Sequence, residues 1–319
     1  LAYTGSTGLG AGERSARMDG IFSINKAPGM TSHDVVARVR RLAQQKRVGH
    51  AGTLDPTATG VLPVCLGQAT RVAEYLSESG KAYRATIRFG AVTDTYDAEG
   101  TIIREAPVIL DERTIAAALP AFLGEQLQVP PAYSAIKRGG QPIYKAARAG
   151  ESVALEPRPI VIYALRLIAW DPPDLLMDVE CGKGTYIRSL AFDLGERLGC
   201  GAHLAGLVRT RSGPFTLAQS ITLEALEATL ADNTWQDYLY APDEALLERR
   251  AAILEHASED RLRTGQPLRF DTRGEMEPGE GELLRAYSTD GRFLGILRWQ
   301  TAASAWQPHK VLPVAPVEE

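Results

Sequence analysis

Hydrophobic positions recur along the chain with two different periods. Apolar and polar residues alternate over 83–89 and again over 175–181, which predicts two strands that each bury one face. Over 35–42 and 187–198 the apolar residues recur every three or four positions instead, which predicts two amphipathic helices. The chain therefore combines strands and helices before residue 200.

The ends of these segments carry matching signals. Thr31 followed by Asp34 forms a capping-box pattern at the start of the first helix, and Gly199 is a suitable stop for the second. Beyond residue 250 the period shortens, and the apolar segments 283–287 and 293–299 are joined by a loop containing Asp-Gly, a strong hairpin signal. We expect the chain to end in a small β domain.

These patterns divide the chain into segments. Residues 1–17 are rich in Gly, Ser and Thr without periodicity and are expected to form a flexible leader before ordered protein begins at Met18. Residues 18–250 are expected to form the main unit and 251–319 the small β domain. Within the main unit, 128–157 mix prolines and glycines with basic residues and are expected to leave the core, although a surface loop without function is the alternative.

The composition is that of an ordinary globular protein. Hydrophobic residues make up 45% and charged residues 23% of the 319 positions. No apolar run approaches the roughly 20 residues that a spanning helix needs, so we expect a cytoplasmic protein with no membrane partner. The three cysteines form no C-x-x-C pair, which argues against a disulfide framework and a thiolate zinc site.

The formal net charge of -4 hides a segregation of charges. Residues 26–50 carry +5, 134–150 carry +4 and 181–215 carry +3, whereas 216–260 carry −8. If the three basic stretches meet on one face, that face can follow a phosphate backbone. Judged by charge alone, ordinary solvated helix faces are the favoured alternative.

One segment stands out for its chemistry. The chain has no H-E-x-x-H pair, no G-x-S-x-G elbow, no P-loop and no G-x-G-x-x-G motif after a strand, which argues against zinc and serine hydrolases, nucleotide triphosphatases and nicotinamide enzymes. Residues 49–62, GHAGTLDPTATGVL, contain three glycines, and Asp55 is held extended before Pro56. Such a loop can present a carboxylate to a substrate, although an isolated Asp-Pro pair is more often a simple turn.

The segment 49–62 resembles the signature of the TruB family of tRNA pseudouridine synthases. Other segments resemble further motifs of that family in the expected order, and these are residues 20–32, 81–84, 93–97, 128–137, 184–190 and 201–210. Asn25-Lys26-Ala27-Pro28 departs from the aspartate-lysine-proline opening of many members, and we expect only an adjusted turn there. The region ending at 308–312 resembles, more weakly, the PUA RNA-binding domain of bacterial members.

The resemblance implies both fold and function. The implied fold is mixed α/β (α+β), with a largely antiparallel sheet flanked by helices and a small PUA-like C-terminal β domain. The implied activity is that of an isomerase that flips a uridine out of the T-loop of tRNA (position 55) and converts it to pseudouridine without cofactor or metal. We expect tRNA as the partner, with no obligate protein partner, and a monomer.

The resemblance also assigns roles to residues of the site. Asp55 matches the family's nucleophile, and Arg188 matches the basic group that keeps it charged and in place. Whether Asp55 attacks C1′ of the ribose, adds to C6 of the uracil or assists proton loss from C2′ stays open.

The remaining predicted site residues contact the RNA. A histidine matches the residue that fills the space left by the flipped base, and two tyrosines and a leucine match the lining of the uracil pocket. Four basic residues of the 128–157 insertion are expected to contact the RNA backbone. These residues are His50, Tyr83, Tyr186 and Leu207 for the base, and Lys137, Arg138, Lys145 and Arg148 for the backbone.

Two alternative functions stay open at this point. The first is a non-catalytic RNA-binding or RNA-folding factor on the same scaffold, and the joint presence of Asp55, Tyr83 and Arg188 favours the enzyme instead. The second is a uridine isomerase for a different RNA or within a guide-directed complex. The insertion at 128–157 favours an enzyme that grips its own tRNA.

Overall fold

The computed structural model describes residues 18–132, 137–138, 141–142, 155–270 and 277–313. For 137–138 and 141–142 it describes the backbone alone. The predicted leader, residues 1–17, lies outside the described residues, as do Lys145, Arg148 and the side chains of Lys137 and Arg138.

The described elements alternate between strands and short helices. The helices are α1 (Ser32–Leu42), α2 (Ala73–Glu78), α3 (Glu112–Ala118), α4 (Ile187–Leu198), α5 (Leu223–Ala231) and α6 (His256–Arg263). The strands are β1 (Gly20–Lys26), β2 (Val48–His50), β3 (Thr59–Leu66), β4 (Lys81–Phe89), β5 (Ala91–Thr93), β6 (Ile102–Glu105), β7 (Gly124–Gln128), β8 (Lys137–Arg138), β9 (Gln141–Pro142), β10 (Arg158–Asp171), β11 (Asp174–Cys181), β12 (Ala202–Ser212), β13 (Phe215–Thr216), β14 (Leu239–Tyr240), β15 (Ala251–Leu254), β16 (Leu283–Ser288), β17 (Phe293–Gln300) and β18 (Ala305–Val311). No helix within the described ranges is long and apolar enough to cross a membrane.

A large sheet organises the chain up to residue 240. Its strands run in the order β14-β1-β3-β12-β4-β11-β10-β7, with β2 beside β3 and β13 beside β12. Neighbouring strands are antiparallel except β12 and β3, whose parallel pairing aligns Val208 with Thr59 and Arg209 with Gly60. The predicted mixed fold with a largely antiparallel sheet is confirmed, and the one parallel pair lies beside the Asp55 loop.

The capping residues predicted from the sequence lie at the start of α1 and at the end of α4. The Thr31 hydroxyl accepts from the Asp34 backbone N–H at 3.1 Å, and the Asp34 carboxylate accepts from the Thr31 N–H at 2.9 Å, which completes the capping box of α1. Gly199 ends α4 in the left-handed region, with φ of 81°. Both helices bury their apolar residues against the large sheet.

The central strands β1 and β3 are buried on both faces. Phe22 and Leu62 belong to the main core shared with α1, α4 and α5, whereas Ile21 and Val61 belong to a second core on the opposite face. Successive side chains of a strand point to opposite faces, so these two adjacent pairs separate the two cores. The strand that follows the Asp55 loop is thereby fixed from both sides.

A second sheet lies in the C-terminal part of the chain. Its order is β15-β16-β17-β18, and the predicted hairpin is confirmed as the antiparallel pair β16–β17. Ile296 of β17 enters the second core, and the carbonyl of Val311 accepts from Arg71 Nη1 at 2.6 Å. The C-terminal sheet therefore packs on the side of β1 and β3 that lies away from the main core.

Candidate active site

The loop that carries Asp55 joins β2 to β3 and is fixed by groups from other elements. Ser32 donates its hydroxyl to the Leu54 carbonyl at 3.1 Å and accepts from the Leu54 N–H at 2.9 Å. Lys26 Nζ donates to the Pro56 carbonyl at 3.0 Å. The backbone is held on both sides of Asp55, while 45% of the Asp55 side chain stays exposed.

Arg188 lies directly opposite this carboxylate. It sits in the first turn of α4, where only 8% of its side chain is exposed, and its Nη2 lies 3.0 Å from Asp55 Oδ2. Its Nη1 lies 3.3 Å from Asp97 Oδ2 and donates to the Thr95 carbonyl at 3.4 Å. One buried guanidinium therefore links two aspartates from distant parts of the chain, and charge-assisted contacts of this kind are both strong and directional.

Asp97 belongs to a turn that hydrogen bonds to its own residues. Its Oδ1 accepts from Thr95 Oγ1 at 2.6 Å and from the Glu99 N–H at 3.1 Å, and 13% of its side chain is exposed. The ring of Tyr96, at φ of 62°, stacks on Phe192 of α4 with centroids 4.1 Å apart. The turn is thus locked onto the helix that presents Arg188.

These groups open onto a small cavity of about 60 Å³. Asp55, Arg188 and Leu207 line it together, as the sequence predicted for one site, and Asp97 and Leu204 lie beside them. Asp97 is a site residue that sequence reasoning missed as such. A signal was present, because the segment 93–97 resembles a motif of the family, but that resemblance gave the aspartate no role.

Tyr83 and Tyr186 do not line this cavity and contact other parts of the structure. Tyr83 is buried on β4 and is aligned with Arg209 of β12. Burial raises the pKa of the Tyr83 phenol, and Arg209 acts in the opposite direction. The half-buried Tyr186 caps α4, where its N–H donates to Gln128 Oε1 at 2.8 Å and its carbonyl accepts from Gln128 Nε2 at 3.1 Å. The first residue of the insertion is therefore tied to the helix of Arg188.

His50 ends β2 and is half-buried beside His33. The two rings meet edge to face with centroids 5.4 Å apart. Burial lowers the pKa of His50, and the nearby His33 and Arg209 act in the same direction. Its Nδ1 is buried and makes no hydrogen bond within the described part of the chain. The role predicted for His50, filling the space that the flipped base leaves, remains a prediction.

Two buried cations behind the loop were not predicted. Lys26 donates to the carbonyls of Ala27, Met30 and Pro56, and Arg209 donates to those of Gly52, Thr53 and Val61. Burial lowers the pKa of both side chains. From one sequence, a single cation near an apolar strand is indistinguishable from a surface residue, so the signal for these two was weak.

Four residues were predicted to contact the RNA backbone. Lys137 and Arg138 lie in β8, but their side chains are outside the described part of the chain. Lys145 and Arg148 lie outside it altogether. Among the residues that the structure describes, no group of three or more His, Cys, Asp or Glu side chains could hold a metal ion.

Two family models match consecutive parts of the chain. The TruB family pseudouridylate synthase N-terminal domain matches residues 40–187, and the tRNA pseudouridylate synthase B C-terminal domain matches residues 188–248. The boundary between the two matches falls at Arg188. Asp55 and Asp97, the two aspartates that contact Arg188, both lie in the part of the chain that matches the N-terminal model.

Similar proteins span most of the chain. A protein from Burkholderia mallei (strain NCTC 10247) named tRNA pseudouridine synthase B is 45% identical over 88% of this chain and 93% of its own length. One of the same name from Dehalococcoides mccartyi is 45% identical over 92% of this chain and 96% of its own length. The sequence similarity therefore includes the C-terminal part of the chain beyond the two family models.

Solved structures share the fold. An archaeal box H/ACA sRNP Nop10-Cbf5 complex contains a chain that matches with a TM-score of 0.69 and 26% identity, over 92% of this chain and 86% of that one. A chain of an H/ACA RNP bound to a substrate RNA containing 2'-deoxyuridine matches with a TM-score of 0.70 and 24% identity, over 92% of this chain and 85% of that one. The latter likeness supports the fold alone.

Proposed function

The chain belongs to the TruB family of pseudouridylate synthases, and from this membership we propose that it isomerises a uridine in the T-loop of tRNA (position 55) to pseudouridine. The relatives at 45% identity carry the name tRNA pseudouridine synthase B. The observation that carries the proposal in this chain is the exposed carboxylate of Asp55, held by the buried guanidinium of Arg188 at 3.0 Å.

The reaction moves a bond without net redox change or hydrolysis. The N1–C1′ bond breaks, the uracil turns, C1′ bonds to C5, and the proton lost from C5 is balanced by one gained at N1. A carboxylate suits such covalent catalysis because it can add to an electrophilic carbon and leave again. Asp55 takes this role, and Arg188 orients it. The reacting atom on the substrate stays open among C1′, C6 and a proton at C2′.

The base must leave its stack to reach Asp55. Tyr83, Tyr186 and Leu207 line the pocket that receives the uracil, and His50 fills the space that the base leaves. Leu207 lining the same cavity as Asp55 and Arg188 supports this arrangement. An aromatic face and an apolar side chain suit a flipped pyrimidine, because single-stranded RNA loops are recognised through splayed and stacked bases.

The RNA backbone is held by the basic insertion. Lys137, Arg138, Lys145 and Arg148 contact phosphates, and Gln128 ties the start of this segment to the helix of Arg188 through Tyr186. Residues 18–250 form the catalytic unit, and 251–319 form a PUA-like RNA-binding unit. The enzyme acts on tRNA as a monomer in the cytoplasm without a protein partner or cofactor.

The activity is tested with purified protein and a tRNA transcript. We expect pseudouridine at one T-loop position, mapped in the product RNA, with no cofactor added. Asp55→Asn should abolish turnover while tRNA affinity is kept. The matched control is Asp178→Asn, which changes a surface aspartate paired with Arg84 and should turn over at the wild-type rate. Full activity in Asp55→Asn would contradict the mechanism, and modification of a different RNA position would correct the substrate.

The backbone contacts are tested by their salt dependence. Removing one cation that binds a phosphate should flatten the slope of log affinity against log salt by about 0.7–0.9, so alanine at all four basic positions should flatten it by about 3. A variant with alanine at Arg84, Arg88, Arg104 and Arg113 removes the same formal charge elsewhere and should leave the slope unchanged. An equal slope in the insertion variant and the wild type would rule out the clamp.

A further inference from the structure

Arg209 is a fully buried cation at the centre of the large sheet. It lies on β12, aligned with Tyr83 of β4 on one side and with Gly60 of β3 on the other, and only 1% of the residue is exposed. Arginine is rarely buried so completely unless its donors are satisfied. Its position between β3 and β4 places it between the strand that follows Asp55 and the strand that carries Tyr83.

Backbone carbonyls of the Asp55 loop take up its donors. Nε donates to the Val61 carbonyl at 2.7 Å, Nη2 to the Gly52 carbonyl at 3.0 Å and Nη1 to the Thr53 carbonyl at 3.3 Å. Gly52 and Thr53 precede Asp55 and Val61 follows it, so one rigid guanidinium spans both ends of the loop. A lysine amine is a point donor on a flexible stem and cannot reproduce this fork.

The close approach of the two strands depends on a glycine. Gly60 has φ of 98°, and a Cβ there would lie 2.3 Å from the Arg209 carbonyl oxygen and 2.9 Å from its backbone nitrogen. Any side chain at position 60 would push β3 away from β12. The absence of that side chain lets the loop settle directly onto the guanidinium.

Tyr83 lies opposite Arg209 in the sheet. The two residues are aligned across β4 and β12, and both are buried. Burial raises the pKa of the Tyr83 phenol, and the nearby charge of Arg209 acts in the opposite direction.

From these contacts we propose that Arg209 is a positioning residue for the isomerisation. It fixes the Asp55 loop against the strand pair that carries Tyr83 through one buried guanidinium, without touching the substrate. The inference rests on the proposed function, because positioning has meaning only for a reaction at Asp55. The chemistry of the isomerisation does not itself require a buried cation, and positioning explains why Arg209 is buried there.

The test compares Arg209→Lys with Arg84→Lys, a matched change on the neighbouring strand in an exposed pair with Asp178. Single-turnover rates, tRNA affinity, thermal stability and amide hydrogen exchange of the full chain are measured for both. Arg209→Lys should lower the single-turnover rate by on the order of 10²-fold, because small displacements of reacting groups cost about that much. Affinity should stay within about twofold of wild type, because phosphate contacts dominate it.

Two readouts separate positioning from a purely structural role. Amides of the loop 52–58 should exchange faster in Arg209→Lys while the strands of the large sheet keep their protection. Combining Arg209→Lys with Tyr83→Phe should lower the rate by less than the product of the single effects, since the two residues are aligned on neighbouring strands and act on the same site. Arg84→Lys should match wild type throughout.

The outcomes distinguish this proposal from the proposed function. A wild-type enzyme that forms no pseudouridine in tRNA would remove the proposed function, whatever Arg209→Lys does to hydrogen exchange. An active wild type with equal activity in Arg209→Lys would overturn the positioning role alone. Arg209→Lys protein that is unfolded at the assay temperature, or that loses rate and affinity in parallel, would also overturn it, because Arg209 would then serve stability only.

Discussion

Two segments deliver an aspartate to Arg188, and the two carboxylates are held in different ways. The Asp55 loop is fixed by donors from distant elements, chiefly Lys26, Ser32 and Arg209, and none of these donors bonds to the Asp55 carboxylate. The backbone of the 93–99 turn also bonds to a distant residue, Leu204 of β12, but the Asp97 carboxylate is held from within the turn, since Thr95 Oγ1 and the Glu99 N–H both donate to it. The two carboxylates also differ in exposure, at 45% for Asp55 and 13% for Asp97.

The difference assigns the two carboxylates to different tasks. Asp97 uses one oxygen for its own turn and the other for Arg188, so it suits a structural anchor that orients the guanidinium. Asp55 has its backbone held by others while its side chain remains open to solvent and substrate. A rigid backbone beneath an accessible carboxylate is what a nucleophile needs.

The largest expected effect comes from neutralising each aspartate in turn. Asp55→Asn should leave no measurable turnover, whereas Asp97→Asn should lower the single-turnover rate by on the order of 10²-fold and keep turnover, because Arg188 loses its second anchor but not its partner. Loss of tritium from tRNA labelled at C5 of uridine measures both rates. Equal losses of the single-turnover rate in the two variants would contradict this assignment and would mean that the two carboxylates have the same task.

The sequence predicted Asp55 and Arg188 better than it predicted the residues that support the Asp55 loop. The match of 49–62 identified Asp55, and the match of 184–190 identified Arg188, which the structure places 3.0 Å away. Alternating and helical periods likewise predicted β4, β11, α1, α4 and the C-terminal hairpin. These signals are local or carried by the family resemblance, so one sequence was enough to find them.

The supports of the loop could not be predicted in the same way. Arg209 and Gly60 become neighbours only through the parallel pairing of β12 and β3, and Lys26 meets Pro56 only after β1 and β3 pair. Long-range strand pairing has no signal in the residues themselves, and the burial of a cation depends on it. Asp97 was missed for a different reason, because the segment 93–97 resembles a motif of the family but that resemblance does not show that Asp97 is a partner of Arg188.

The second expected effect concerns Lys81, a buried cation at the start of β4, the strand that carries Tyr83. Burial lowers the pKa of Lys81 from its ordinary value of 10.5 to about 8, and its Nζ donates to carbonyls at the end of α2. Between these two pKa values the unfolded chain binds more protons than the folded one, so the free energy of unfolding rises with pH.

This linkage is measured against Lys81→Met, which lacks the titrating group. From pH 8 to about 10.5, wild type should gain about 1–3 kcal/mol relative to that variant in urea unfolding. Lys183→Met is the control for removing a lysine charge, since Lys183 is exposed and pairs with Glu78. A flat difference for Lys81→Met would contradict the lowered pKa of Lys81.

The third expected effect weakens the turn from within. Thr95→Val removes the hydroxyl that donates to Asp97 at 2.6 Å and leaves a side chain of the same shape. The loss of one such hydrogen bond, about 1 kcal/mol, should lower the single-turnover rate by roughly fivefold. Thr95→Ser keeps the donor and should restore the rate. A loss in Thr95→Ser equal to that in Thr95→Val would point to the methyl group and not to the hydrogen bond.

The smallest effect is expected at an arginine–aspartate pair outside the site. Arg84 and Asp178 meet through two hydrogen bonds of 2.8 Å and 2.9 Å on the surface of the sheet, with 47% and 30% of their side chains exposed. Exposed pairs contribute little to stability, so in a double-mutant cycle of Arg84→Ala and Asp178→Ala the coupling should change the equilibrium constant of unfolding by no more than about fivefold and leave catalysis unchanged. The chemical groups are those of Arg188 and its two aspartates, and the exposure of Arg84 and Asp178 should make their interaction weaker. A coupling above about thirtyfold would mean that geometry, and not burial, sets the strength of both pairs.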